Sequence, residues 1–185
     1  VEQHKSDMKQ RRQHEDAYLN LARLSLESYV RERKTIDMPP GLPEEMLNTR
    51  AGAFVSIKKD GELRGCIGTI LPVRSSLAEE IIANAISAGT ADPRFPPVTV
   101  EELEDLVYDV DVLSEPEQID TPDQLNVKRY GVIVSSEDGL RRGLLLPDLE
   151  GVNTVEEQIS IARRKGNISS TEAIKLMRFE VTRHE

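Results

Sequence analysis

Apolar positions recur every three or four residues from Tyr18 through Leu19, Leu21, Ala22, Leu26 and Tyr29 to Val30. That spacing predicts one long amphipathic helix over residues 7–34. The run Met38-Pro39-Pro40-Gly41-Leu42-Pro43 ends it, because proline removes backbone donors and glycine favours a break. A turn of helix is expected at 44–48. The period then shortens. Residues 51–58 and 62–71 read as two strands of a hairpin around the turn signal Asp60-Gly61. Ser76-Leu77-Ala78-Glu79 matches a capping box, and Leu77, Ile81, Ala85 and Ala88 form the stripe of a helix ending near Gly89.

A rigid loop follows, Ala91-Asp92-Pro93-Arg94-Phe95-Pro96-Pro97, in which three prolines set the backbone around one charged pair. Residues 99–105 read as a short capped helix. In 106–113, Leu106, Tyr108, Val110 and Val112 alternate with Asp109 and Asp111 as in a strand with one core face. Thr121-Pro122-Asp123 opens another short helix. Residues 130–136 and 140–146 make a second hairpin around Glu137-Asp138-Gly139, closed by Pro147. Thr154-Val155-Glu156-Glu157 caps a helix running to Gly166, a helical turn is expected at 169–173, and 174–183 reads as a last strand.

Strands and helices in this order predict an α+β fold, a mostly antiparallel sheet with flanking helices. The chain ends read as a helix and a strand with core faces, while the second hairpin has its own capped helix. The expected division is therefore a large subdomain of 1–115 with 173–185 and a small one of 116–172, intimately joined. The two hairpins also echo each other: Asp60-Gly61 precedes Arg64-Gly65 and an apolar run to Pro72, and Asp138-Gly139 precedes Arg142-Gly143 and an apolar run to Pro147. Common hairpin chemistry explains the match by chance. A duplication would instead set two Arg-Gly strands on opposite walls of one cleft.

Composition narrows the class. At 185 residues with 38% hydrophobic and 31% charged residues, the chain suits one core or two joined ones. No apolar run approaches the roughly 20 residues that cross a bilayer, and no membrane association is expected. The polar start, residues 1–12, carries no secretory signal pattern, and a single cysteine excludes an internal disulfide, so the expected address is cytoplasmic. The net charge of −9 is unevenly spread, with ten Asp and Glu and no Lys or Arg between Thr99 and Leu125. Nucleic acid requires clustered cations, so no nucleic-acid partner is expected.

The densest candidate chemistry is Leu63-Arg64-Gly65-Cys66-Ile67-Gly68, which places the only cysteine beside a charge and between two glycines. Cys66 reads either as a nucleophile whose thiolate is favoured by Arg64 and the following helix N-terminus, or as a small core residue. Simple alternation would put Arg64 on the face of Cys66, as an anion clamp or in a structural salt bridge. Gly65 and Gly68 permit close backbone approach by a ligand or by a packed helix. Asp92 and Arg94 either carry chemistry or pin the proline loop, and pinning is the commoner use. Asp109 and Asp111 share a face that would suit a divalent cation, but a solvated acidic face is far commoner, and no metal is assigned. The three histidines, His4, His14 and His184, all lie near the chain ends, which weighs against a Cys–His dyad.

These residues resemble the AMMECR1 domain family. The resemblance rests on Leu63-Arg64-Gly65-Cys66-Ile67-Gly68-Thr69, Asp92-Pro93-Arg94-Phe95-Pro96-Pro97, Tyr130-Gly131-Val132-Ile133-Val134-Ser135 and Arg142-Gly143-Leu144-Leu145-Leu146-Pro147, in that order, and covers about residues 15–182. It implies an α+β fold with a larger subdomain built from both chain ends, and a cysteine motif lining an active or binding site. It further implies a prokaryotic pathway shared with a Memo-like protein and a radical SAM protein. Relatives often carry another cysteine near the position of Ala162, and its absence here weighs against a two-thiol mechanism.

Two functional readings follow. In the first, Cys66, Arg64 and Asp92 carry group transfer on a small anionic or carbonyl substrate, bound by Gly65, Gly68, Thr69, Arg94, Tyr130 and Arg142; no cofactor is specified. In the second, the domain is a binding module that recruits a protein partner through the cleft or the acidic surface of 99–125. A thiol flanked by glycines and arginine suits chemistry better than docking, which favours the first.

Overall fold

A computed structural model describes residues 1–185. The chain forms two compact units, Val1–Val112 with Thr182–Glu185, and Leu113–Val181. The first unit contains helices α1 (Glu2–Gln13), α2 (Ala17–Glu32), α3 (Glu44–Asn48) and α4 (Leu77–Thr90), and a 3₁₀ helix at Val100–Asp105. Its sheet uses β1 (Ala53–Lys59), β2 (Glu62–Gly68), β3 (Leu106–Leu113) and, from the chain end, β8 (Val181–His184). The order is β2-β1-β3-β8, and β1 pairs antiparallel with both β2 and β3. Val55, Ile57, Tyr108 and Val110 of this sheet pack with Leu21, Ala22 and Leu26 of α2 and Ile81, Ala85 and Ala88 of α4.

The long helix expected over 7–34 is two helices. Asp16 is extended, and its carboxylate accepts from the Leu19 N–H at 2.9 Å, starting α2 afresh. The apolar period begins only at Tyr18, and α1 buries no residue, so nothing forces the two segments into one rod. The helix expected at 99–105 is a 3₁₀ turn, and it keeps the Thr99–Glu102 capping box.

The second unit is assembled from β4 (Glu117–Ile119), β5 (Gly131–Ser136), β6 (Arg142–Leu145), α5 (Val155–Lys165) and β7 (Ile174–Phe179), with a 3₁₀ turn at Pro122–Gln124. Its antiparallel sheet runs β4-β7-β5-β6 over a core of Ile119, Val132, Val134, Leu145, Ala162, Ile168 and Leu176. The single last strand expected over 174–183 is split between the sheets. Around Glu180 its backbone binds Ser114 instead of a ladder: Ser114 N–H donates to the Glu180 carbonyl and Glu180 N–H to Ser114 Oγ, both at 2.8 Å. That interruption moves 174–179 out of the unit expected for it, leaving only β8 with the first sheet.

The two Arg-Gly strands make the same packing contact. A Cβ on Gly65 would overlap the Ala88 carbonyl oxygen at the end of α4, and one on Gly143 would overlap the Ala162 carbonyl oxygen of α5. Close backbone approach by a packed helix is therefore the reason for both glycines. Gly65→Ala and Gly143→Ala should each lower stability by about 1–3 kcal/mol, since a methyl group there must push strand and helix apart. Urea unfolding measures it, and an unchanged midpoint for either variant would show that the hairpin can shift over its helix.

Candidate functional site

Cys66 lies on β2, the edge strand of the first sheet, directly opposite Ser56 on β1. Ser56 Oγ–H donates to the Cys66 sulfur at 3.3 Å, and the cysteine is half-buried. The edge N–H of Cys66, which has no further strand to pair with, donates to Asp92 Oδ2 at 3.0 Å. Asp92 lies just beyond α4 and is buried, and it also accepts from the Arg94 backbone N–H at 3.0 Å and from Arg94 Nε and Nη2 at 3.1 and 2.9 Å. The Arg94 hydrogen bonds, opposed by burial and aided by the Cys66 N–H, hold the Asp92 carboxyl well below the usual carboxylate range. Arg94 keeps its charge more firmly than usual, first through its hydrogen bonds to Asp92. Its guanidinium lies 5.4 Å from the Phe95 ring centre and its side chain is 55% exposed, so the cation sits at the surface of this unit, on the same Asp92 oxygen that takes the Cys66 N–H.

Arg64 is engaged elsewhere. A register shift pairs Gly65 with Ile57 and Leu63 with Lys58, leaving Arg64 without a partner on β1 and breaking the alternation that would set it beside Cys66. Its Nε and Nη2 donate to Glu102 at 2.9 and 3.0 Å, and Lys59 Nζ joins at 3.3 Å. Arg64 foremost, together with the Thr99 N–H and Lys59, pushes Glu102 down to about 2. This is the salt-bridge use of Arg64. Thr69 also faces inward. Its hydroxyl donates to fully buried Glu80 at 2.8 Å and accepts from Asn84 Nδ2 at 3.2 Å, while Glu80 takes the N–H groups of Val73 and Arg74. Gly68 is covered by the Phe54 ring, which a Cβ there would overlap.

Tyr130 and Arg142 belong to the second unit. Tyr130 is sandwiched between the guanidinium groups of Arg129 and Arg178, 4.8 and 4.3 Å from its ring centre, and its carbonyl accepts from buried Gln158 Nε2 at 2.8 Å. Arg142 is exposed, and its neighbour Arg141 makes the ion pair with Glu172. Asp109 pairs with Lys58 at 3.3 Å and Asp111, itself buried, with Arg183 at 2.8 Å, so the acidic strand is neutralised by cations of its own unit. The histidines are bound as well: His4 to Asp105, His14 to the Gln10 carbonyl, and His184 to Asp16 while stacked on Tyr18.

The residues missed at the sequence level are Ser56, Glu80, Asn84 and Glu102. Glu80 was readable as a charge beside Ile81 in an apolar stripe, and Glu102 as the last residue of a capping box. Ser56 carried no signal, because a serine in a strand is ordinary until its cross-strand neighbour is known.

A sequence profile described as AMMECR1 matches residues 19–184, a stretch that contains every residue of this site. The chain belongs to the AMMECR1 family. The AMMECR1 domain here is 51% identical over 173 residues to a Thermotoga maritima protein, covering 92% of this chain and 98% of that one. It is 50% identical over 182 residues to a Clostridium acetobutylicum protein, covering 98% of this chain but spanning only 38% of that protein's length. The crystal structure of an uncharacterized Pyrococcus horikoshii protein is similar at a TM-score of 0.83 and 34% identity, over 90% of this chain and 88% of that one. The AMMECR1 fold is thus α+β in both. No helix is long and apolar enough to cross a membrane.

Two measurements probe this AMMECR1 site. In Asp92→Ala the Cys66 amide loses its acceptor at an open sheet edge, and its hydrogen exchange should quicken at least tenfold, as expected for losing a charge-assisted bond; unchanged protection would remove Asp92 from its anchoring role. For Glu102, whose folded value lies below the ordinary 4.5, the stabilisation is present above pH 4.5 and is lost as pH falls toward 2. The stability curves of the native protein and Glu102→Gln should therefore converge between pH 4.5 and 2, and parallel curves would refute the assignment.

Proposed function

We propose that this AMMECR1 domain is a cysteine-dependent group-transfer protein acting on a small anionic or carbonyl substrate at Cys66. The observation that carries the reading is the convergence on one residue of a hydroxyl donor to sulfur, a carboxylate on its backbone N–H and a cation held by that same carboxylate oxygen. Arg94 stabilises the thiolate and attracts a negative group, Asp92 holds both the strand edge and Arg94, and Ser56 orients the sulfur. In the transfer the thiol gives its proton to solvent, the thiolate adds to the substrate carbonyl carbon to form a C–S bond, and the bond to the leaving group breaks, the leaving group taking a proton from solvent. Water, an alcohol or an amine then attacks the thioester carbonyl, the C–S bond breaks, and the proton lost by that nucleophile restores the thiol. Arg64 serves as a structural clamp in this reading. The Memo-like and radical SAM proteins implied by family resemblance would supply or consume the substrate.

The recruiting reading is less well supported. Of the ten acidic residues in 99–125, Glu102, Asp109, Asp111 and Glu117 are paired with Arg64, Lys58, Arg183 and Arg178, which lowers the net charge offered to a basic partner.

p-Nitrophenyl acetate is a suitable carbonyl probe. Intact-mass analysis should show one acetyl group on the folded protein, released by hydroxylamine and absent in Cys66→Ala, and Arg94→Gln should slow its formation about three- to tenfold by removing the adjacent cation. A Cys66 that is acetylated only after unfolding would reduce the thiol to a packing residue and end the proposal.

A further inference from the structure

Between α1, the start of α2 and β3 the first unit forms a half-open cavity of about 400 Å³, none of whose lining residues belongs to the Cys66 site. Its volume suits a small organic molecule. Met8, Leu19 and Leu106 give it apolar walls, and Arg12 and Tyr108 also line it. Both polar residues carry a buried atom without a hydrogen-bond partner: Nε of Arg12 and the hydroxyl of Tyr108. Tyr108 is only 3% exposed. Burial, and next the charge of Glu27, raise its hydroxyl far above the ordinary range, so it holds its proton and remains a donor. Arg12 uses Nη2 on the Leu103 carbonyl at 3.0 Å, which leaves its Nε–H unanswered. Arg12 is also among the charges that act on the Tyr108 hydroxyl, so the two donors share one neighbourhood.

The nearby carboxylates bind other atoms. Glu15 is held by Arg23 Nε at 3.0 and 2.9 Å, and Glu27 lies 3.4 Å from Arg23 Nη1 and 3.8 Å from Arg12 Nη2, which leaves Arg12 Nε and the Tyr108 hydroxyl without a partner. Buried donors are nearly always paired, and two orphans beside a partly apolar cavity call for an acceptor from outside the chain. Asp7, Glu15 and Glu185 outnumber Arg11 and Arg12 in the lining of the same cavity, so a neutral acceptor is favoured over an anion.

We propose that this cavity binds a small, largely apolar molecule through one carbonyl oxygen, which accepts hydrogen bonds from Tyr108 and Arg12. Arg12 precedes the stretch that the family profile matches, so the site is not implied by AMMECR1 membership, and it is independent of the reaction proposed at Cys66.

Benzamide, benzoate and toluene are probes of nearly equal shape that differ in the acceptor. Titration of the full chain by protein-observed NMR should show saturable binding of benzamide, with benzoate weaker and toluene at least tenfold weaker. Tyr108→Phe and Arg12→Met should each weaken benzamide binding about tenfold, the cost of one lost hydrogen bond, while Cys66→Ala leaves it unchanged. Tyr108→Phe keeps the ring and removes an unanswered hydroxyl, so its unliganded form should be at least as stable as the native protein. Absence of saturation at millimolar benzamide, equal binding of toluene, or a clearly less stable Tyr108→Phe would each overturn the proposal, the last by showing that a water already satisfies the hydroxyl.

Discussion

The approach of Gly65 to the Ala88 carbonyl is the constraint on which the Cys66 site depends. With no side chain at 65, strand β2 lies directly against the last turn of α4. The chain leaving that helix is thereby delivered beside the sheet edge, where Val98 N–H donates to the Gly89 carbonyl at 2.8 Å and Phe95 N–H to the Asp92 carbonyl at 3.2 Å. Asp92 then meets the N–H of the residue next to Gly65. A larger residue at 65 would lift the helix end and withdraw the carboxylate from Cys66, so a packing requirement and the placement of a functional group are one geometrical fact.

The second unit applies the same construction to different chemistry. Gly143 pairs with Val134 as Gly65 pairs with Ile57, and each glycine meets a helix carbonyl. Each hairpin's first strand is central in its own four-stranded sheet, flanked by its hairpin partner and by an antiparallel strand that follows the helix. Aligned on the glycines, Val55 and Ile57 correspond to Val132 and Val134, all fully buried, while Ser56 and Cys66 correspond to Ile133 and Leu144. The faint echo of Arg-Gly in the sequence is therefore a shared plan of two units. The outward positions that carry hydroxyl and thiol in one unit are apolar in the other.

Legibility followed the range of the interactions. The hairpins, the N-caps at Ser76, Thr99 and Thr154, and the core stripe of α4 rest on contacts within a few residues and were readable from spacing alone. The break before α2 depends on one cap at Asp16, and the division of the last strand depends on Ser114, 66 residues distant from Glu180. The site shows the same limit. Cys66, Asp92 and Arg94 stood out as unusual residues in rigid surroundings, but the partner of Arg64 did not, since a one-residue register shift redirects a side chain and leaves no mark in composition.

That shift decides which cation can act at the sulfur. Arg64 is bound through two nitrogens to a carboxylate that also takes Lys59, and releasing it would leave a partly buried Glu102 short of its main partner. Arg94 is differently placed: its partner Asp92 is 3% exposed at the side chain while its own is 55% exposed, so the anion lies beneath and the cation outside. Asp92 Oδ2 accepts from both the Cys66 backbone N–H and Arg94 Nη2, so one buried oxygen ties the guanidinium to the strand that carries the thiol. In the reaction proposed for Cys66, a negative charge arriving at the thiol would meet a cation already oriented by a buried carboxylate, with no need to break the bond that orients it. That reading would place the functional weight of the site on the 92–94 loop, because preorganisation of this kind is what a reacting sulfur requires.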